Sequence, residues 1–155
     1  MRTGFFLFLF LSCNLAFAGD VFDDIGNQHG VDPDLLRAIA MQESQMHEYA
    51  LNCNGKSFYP KTKKEALRIF RSYGLICDIG YMQINYSWNG LRKDVSVDDL
   101  FEPSINIRVA AEVLKENMSG TKNVWKAVGR YHTWAKRDRA INYAWKVYDN
   151  YVGMN

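Results

Sequence analysis

Residues 32–44 read Asp32-Pro33-Asp34-Leu35-Leu36-Arg37-Ala38-Ile39-Ala40-Met41-Gln42-Glu43-Ser44. Asp32 is a helix-capping residue, and Pro33 at the first helical position suits its fixed backbone angle and missing donor. Leu35, Leu36, Ile39 and Ala40 recur at helical spacing and form one apolar face, so the stretch predicts a helix over 33–44. Glu43 lies four residues after Ile39 and seven after Leu36, which puts it on that same side near the C-terminal end. Partial burial and the negative end of the helix dipole both disfavour a charged carboxylate there. Both raise its pKa, and a carboxyl held protonated near neutral pH is a general acid. The competing reading is a glutamate at a frayed helix end, free in solvent.

The same periodicity extends outward. Phe22 to His29 is a short amphipathic segment that stops at Gly30. Thr62 caps a helix running through Lys63 to about Ser72, with Glu65 at the reciprocal capping position, apolar residues Ala66, Leu67, Ile69 and Phe70, and Gly74 as its stop. Val97 to Phe101 reads as a short helical turn. Pro103 to about Met118 is a long helix with Ile105, Ile107, Val109, Ala110, Val113 and Leu114 as core candidates. Val124 to His132 and Arg137 to about Tyr151 complete the set. Leu51 to Pro60 reads as loop, punctuated by Asn52, Asn54, Gly55 and Pro60. Asp78 to Asn85 is short and mixed, and periodicity assigns it no element. The expectation is a mainly α, compact helical domain with one long ordered loop.

The chain has 155 residues, 48% hydrophobic and 23% charged, which excludes intrinsic disorder and suits one domain. Nineteen Lys and Arg against 17 Asp and Glu leave a net charge of +2, too balanced for the basic footprint of a nucleic-acid binder. Met1-Arg2, the apolar run Phe5 to Leu11 and the small residues of Ala16-Phe17-Ala18 form a signal peptide, with cleavage expected after Ala18. Residues 19–155 then form the exported domain, periplasmic or secreted, with no integral membrane span. Cys13 follows a poor lipoprotein box. Its removal leaves Cys53 and Cys77, and an even pair in an oxidising compartment reads as a disulfide. A cysteine nucleophile assisted by His29, His47 or His132 has no local support. Glu43 and His47 lack the rest of a His-Glu-x-x-His zinc pattern, and no phosphate loop or Gly-x-Ser-x-Gly turn is present. Lys61, Lys63 and Lys64 form a small basic cluster that reads as a solvated face, with contact to an anionic wall as the alternative.

Four segments in order carry a resemblance: Gln42-Glu43-Ser44 closing its helix, Gly80-Tyr81-Met82-Gln83-Ile84-Asn85, then Asn106 with Ala110-Ala111, then Ala127-Val128-Gly129-Arg130-Tyr131-His132. The chain resembles the lytic transglycosylases with a soluble-lytic-transglycosylase domain, and among them the small exported enzymes of conjugation, type IV secretion and pilus systems. The resemblance runs from about Val21 to Tyr148. It implies a lysozyme-like fold with a glycan-binding groove. It also implies cleavage of the β-1,4 bond between N-acetylmuramic acid and N-acetylglucosamine in peptidoglycan, with a 1,6-anhydro product. Its partners would be glycan strands and components of such an apparatus, and no metal or organic cofactor is required.

The family pattern places the acid on Glu43. It places Ser44 where a hydroxyl could bind the substrate N-acetyl group or hold the glutamate, against the plainer reading of a polar residue ending a helix. Gly80 would let the backbone approach a sugar. Met82 and Gln83 would line the groove, whereas without the motif Met82 reads as core and Gln83 as surface; Asn85 ends the motif with an uncharged amide, and the Tyr131 hydroxyl could orient Glu43. His132 stands where the family usually has Asn, and Tyr81 where it usually has Leu. Asn106 is expected in helix packing or a loop hydrogen bond. Tyr86, Trp88 and Trp134 are expected in the core, with sugar stacking as the alternative. Asp78 keeps a lysozyme-type hydrolase open, as a second carboxylate across the groove, against an Asx-type turn. A non-catalytic glycan-binding assembly subunit is the reading from a different class, and an intact Glu43 argues against it.

Overall fold

Asp20 opens the first helix with a reciprocal cap: its carboxylate accepts from the Phe22 and Asp23 amides, and the Asp23 carboxylate accepts from the Asp20 amide. The computed structural model describes residues 20–154. The expected signal peptide over 1–18 and Cys13 lie outside the described residues. Helix α1, Val21–His29, ends on Gly30 in the left-handed region. Helix α2, Pro33–Ser44, starts as expected: Asp32 Oδ1 accepts from the Asp34 amide at 2.9 Å, with Pro33 in the first turn. Its face of Leu35, Leu36, Ile39 and Ala40 is buried, Leu36 and Ile39 completely. Each buried Leu or Ile of that face contributes about 1.5–3 kcal/mol of burial free energy. The face packs onto α6, Arg137–Val152, and towards α4, Pro103–Met118.

The stretch 51–60 corrects the loop expectation. Strands β1, Leu51–Cys53, and β2, Lys56–Phe58, pair antiparallel in a tight hairpin. Asn54 and Gly55 both have positive φ, 53° and 79°. That is the requirement of the commonest two-residue hairpin turn, and Asn-Gly is its strongest sequence signal. The unassigned segment 78–85 supplies the other half of the sheet. Strand β3, Cys77–Ile79, pairs with β1, and β4, Ile84–Asn85, pairs with β3, giving the order β2-β1-β3-β4. Strands this short have no readable alternation, which is why periodicity missed them.

Cys53 and Cys77 are register partners in β1 and β3, and they form a disulfide with an S–S distance of 2.05 Å. Closing this loop of 24 residues constrains the unfolded chain by about 3 kcal/mol in the chain-entropy model. Helix α3, Lys63–Tyr73, is capped by Thr62, whose hydroxyl accepts from the Glu65 amide. Glu65 reaches back to the Lys61 amide and not to Thr62. Lys63 pairs with Asp98 and Glu102, so that member of the basic cluster is engaged.

A π-helical turn over Tyr86–Gly90 and a 3-10 turn over Asp99–Phe101 lead into α4. Helix α4 buries Ile107, Val109, Ala110, Val113 and Leu114. Helix α5, Val124–His132, and α6 then pack on each other and on α4 and α2 respectively. Gly129 lets α5 lie close to α6: a Cβ there would stand 2.7 Å from the Ala140 carbonyl oxygen. The result is a mainly α, lysozyme-like domain with a small sheet flanking the α2–α4 core.

Candidate active site

Glu43 ends α2 against a cavity of about 420 Å3. The sheet supplies Asn52, Ser57, Asp78 and Asn85 to its lining, the β3–β4 turn supplies Gln83, and α5 supplies Tyr131 and His132. Glu43 has its pKa raised to about 7. Burial is the main cause, the nearby charge of Asp78 adds to it, and a hydrogen bond from Tyr143 opposes it. Tyr143 Oη donates to Glu43 Oε1 at 2.5 Å. A carboxyl with that balance is protonated in a large fraction of molecules near neutral pH, and its proton is held next to a polar cavity.

Asp78 accepts from Asn85 Nδ2 at 2.8 Å across the β3–β4 pair. Burial nevertheless raises its pKa, with the Asn85 bond and a charged His132 acting the other way. His132 stacks on the Tyr143 ring, 4.8 Å between centroids and 5° between planes. Its pKa is lowered, first by burial and then by Arg139 and Lys146. Burial holds both Tyr143 and Tyr131 well above the usual phenol range, with Glu43 adding to it. Both hydroxyls therefore stay protonated near neutral pH. Among the described residues no cluster of three His, Cys, Asp or Glu side chains could hold a metal ion.

The turn between β3 and β4 is built around one amide. Asn106 of α4 is 1% exposed. Its Nδ2 donates to the Ile79 and Leu100 carbonyls, and its Oδ1 accepts from the Met82 amide, all at 2.9 Å. This is the loop hydrogen bonding expected of it. Gly80 has φ 78°, and a Cβ there would lie 2.5 Å from Asn106 Nδ2. The close approach that requires glycine is thus to Asn106. Gln83, with φ 46°, folds its side chain back to donate to the Gly80 and Ala50 carbonyls at 2.9 and 3.2 Å.

The transglycosylase SLT domain, as a family profile, matches residues 20–149 of this chain. The chain belongs to the SLT transglycosylase family. The SLT domain here is 28% identical to a "peptidoglycan-binding-like protein" of Escherichia coli O157:H7, over 94% of this chain and 84% of that protein. It is 31% identical to "invasion protein IagB" of Salmonella typhimurium strain SL1344, over 91% of this chain and 80% of the relative. "Protein IpgF" of Shigella sonnei is 26% identical over 95% of this chain and 90% of its own length.

Several residues of the SLT domain stand differently from their expectation. Tyr131 does not hold Glu43: its hydroxyl donates to the Met82 carbonyl at 2.8 Å. Tyr143 does hold it, and it was missed because 100 residues separate the pair. The available signal was a tyrosine on the buried side of the 137–151 pattern, since a buried phenol needs a partner for its hydroxyl. Ser44 is 2% exposed. It bonds the Ala40 carbonyl and the His47 amide, closing the end of α2 without reaching Glu43. Met82 is fully buried and is not among the residues lining the cavity; its amide donates to Asn106 and its carbonyl accepts from Tyr131. Trp88 and Trp134 are 70% and 67% exposed, against the core expectation. Tyr86 fits it better, packing its ring edge-on to Phe70. Tyr59, also missed, lines the cavity, and its ring lies against that of His47.

Proposed function

We propose that this chain is a peptidoglycan lytic transglycosylase in which Glu43 is the acid and the base. The observation that carries this reading is a half-buried carboxyl that faces a polar cavity, with desolvation pushing its pKa up to about 7. The Glu43 proton goes to the glycosidic oxygen as the bond between N-acetylmuramic acid and N-acetylglucosamine breaks. The substrate's own N-acetyl oxygen stabilises the positive anomeric carbon, a variation on the two-carboxylate scheme. Glu43, now ionised and held by Tyr143, takes the proton of the C6 hydroxyl, whose oxygen closes the 1,6-anhydro ring. One proton leaves the carboxyl and one returns, and no water is consumed. Asp78, Gln83, Asn85 and Tyr131 line the cavity that would hold the sugars. Gly80, Met82 and Ser44 would act behind them, through backbone placement.

A lysozyme-type hydrolase is the second reading, favoured by Asp78 in the same cavity with its charge acting on Glu43. Mass spectrometry of peptidoglycan digests separates the two. Anhydro-ended fragments from the wild type and none from Glu43→Gln are expected. Reducing-ended products, heavier by one water, would assign a hydrolase and make Asp78 the next target. Wall binding without fragments, also in the presence of a partner apparatus, would reduce the chain to a glycan-binding subunit.

We also place the chain in the periplasm or outside the cell, with residues 1–18 as its signal peptide. The Cys53–Cys77 disulfide suits an oxidising compartment. No described helix is long and apolar enough to cross a membrane. The resemblance to conjugation, secretion and pilus enzymes, together with a relative named as an invasion protein, supports local wall opening for an envelope-spanning apparatus.

A further inference from the structure

A second cavity, about 1010 Å3, opens between α5 and α6 and shares no lining residue with the Glu43 cavity. Helix α6 carries two apolar faces. Tyr143 and Val147 point into the core, 6% and 0% exposed. Ile141, Ala144, Trp145 and Tyr148 recur at i, i+3, i+4 and i+7 and line the groove instead. Trp145 and Ile141 are 61% and 44% exposed, and Trp134 borders the same groove from the α5–α6 turn. An apolar stripe at helical spacing that faces water is the seam of a helix built to take another helix against it. The rings are already ordered: Tyr148 meets Trp125 and Trp145 edge-on, at 5.1 and 5.6 Å.

Charge narrows the occupant. The lining contains Lys126, Arg130 and Arg137 and no carboxylate. Arg130 lies over the Trp134 ring at 4.4 Å. Lys126 and Arg137 form no ion pair among the described residues. A second copy of the chain would bring these cations against their own equivalents. A lipid surface is a poor match to a concave groove. We propose that the α5–α6 groove docks an acidic amphipathic helix of a protein partner. Its apolar side chains would fill the space between Trp134 and Tyr148, and its carboxylates would meet Lys126, Arg130 and Arg137. Burial of apolar area supplies the affinity, and the unopposed cations supply the choice of partner.

The test uses a fluorescent peptide of about 14 residues, roughly four turns, with Leu and Phe at i, i+3, i+4 and i+7 and Glu elsewhere. The comparison probes are the same peptide with Lys for Glu, and phosphatidylglycerol vesicles. Saturable binding of the Glu peptide is expected, weakened by about tenfold or more, or 1.4 kcal/mol, in Trp134→Ser/Trp145→Ser. Both tryptophans are exposed, so the fold should survive, and circular dichroism checks it. Lys126→Glu/Arg137→Glu should switch the preference to the Lys peptide. Equal binding of the two peptides, binding indifferent to the tryptophans, or no saturable binding would overturn the proposal. So would tryptophan-dependent binding to vesicles alone, which assigns a lipid surface. A tryptophan-dependent dimer in sedimentation, without peptide binding, would assign a second copy.

Discussion

Glu43 sits between two residues that push its proton affinity in opposite directions, and that opposition can be measured. Tyr143 donates to the carboxylate and favours the ionised form, whereas the charge of Asp78 disfavours it. In the proposed mechanism Glu43 acts in its protonated form, so the rate of glycan cleavage should fall as pH rises through about 7. Tyr143→Phe should move this alkaline limb to higher pH, and Asp78→Asn should move it to lower pH. A pH profile of kcat/KM for the three proteins reads the signs directly. Equal shifts in one direction would show that neither residue acts through Glu43. The sequence made Glu43 legible because its environment is local, the apolar face of its own helix. It left Tyr143 hidden because the hydroxyl on that carboxyl comes from a helix 100 residues away.

The β3–β4 turn is the element on which the site's geometry hangs, and a single residue of another element holds it. Asn106→Ala would leave the Met82 amide and the Ile79 and Leu100 carbonyls without their bonds in the interior. A buried group stripped of its partner costs about 1–3 kcal/mol. The variant should therefore lose about 3 kcal/mol or more in urea unfolding, with activity falling further than helix content. The same turn explains why Gly80 and Asn106 were separately readable and jointly not. A glycine in a motif and an asparagine in a helix are each visible in the chain, but their contact across 26 positions is a tertiary fact. The hairpin is a different case. Asn54-Gly55 was a readable turn signal, overlooked because strands of three residues carry no periodicity of their own.

At the scale of the whole molecule, an ionised Glu43 stands at odds with the fold that carries it. The Glu43 pKa is about 7 folded against an ordinary value of 4.5. The folded state then holds its proton more tightly than the unfolded state. Its stabilising contribution is full below pH 4.5 and is lost as pH rises towards about 7. With each pKa unit equal to about 1.4 kcal/mol, the loss approaches about 3 kcal/mol. Glu43→Gln cannot ionise. It should gain on the wild type by up to that amount between acid and neutral pH, in denaturant titrations run across the range. A constant difference between the two proteins would show that Glu43 is not held protonated by the fold.

What the sequence determined by itself was whatever depends on near neighbours. It set the helical faces through their spacing, and the helix starts through Asp32, Pro33 and Thr62. It also set the placement of one carboxyl on an apolar helix face, and the pair Cys53 and Cys77 within the folded part of the chain. What only the tertiary structure decided depends on distant segments meeting. Burial put Asp78 and Glu43 on one cavity and gave Glu43 its proton affinity. It brought Tyr143 to the carboxyl, turned Tyr131 to a carbonyl instead, and left Trp134 and Trp145 facing water. Spacing along a chain specifies which side of an element is apolar. Which groups then share a low-dielectric pocket is set by how the elements pack, because desolvation and hydrogen-bond geometry act through space.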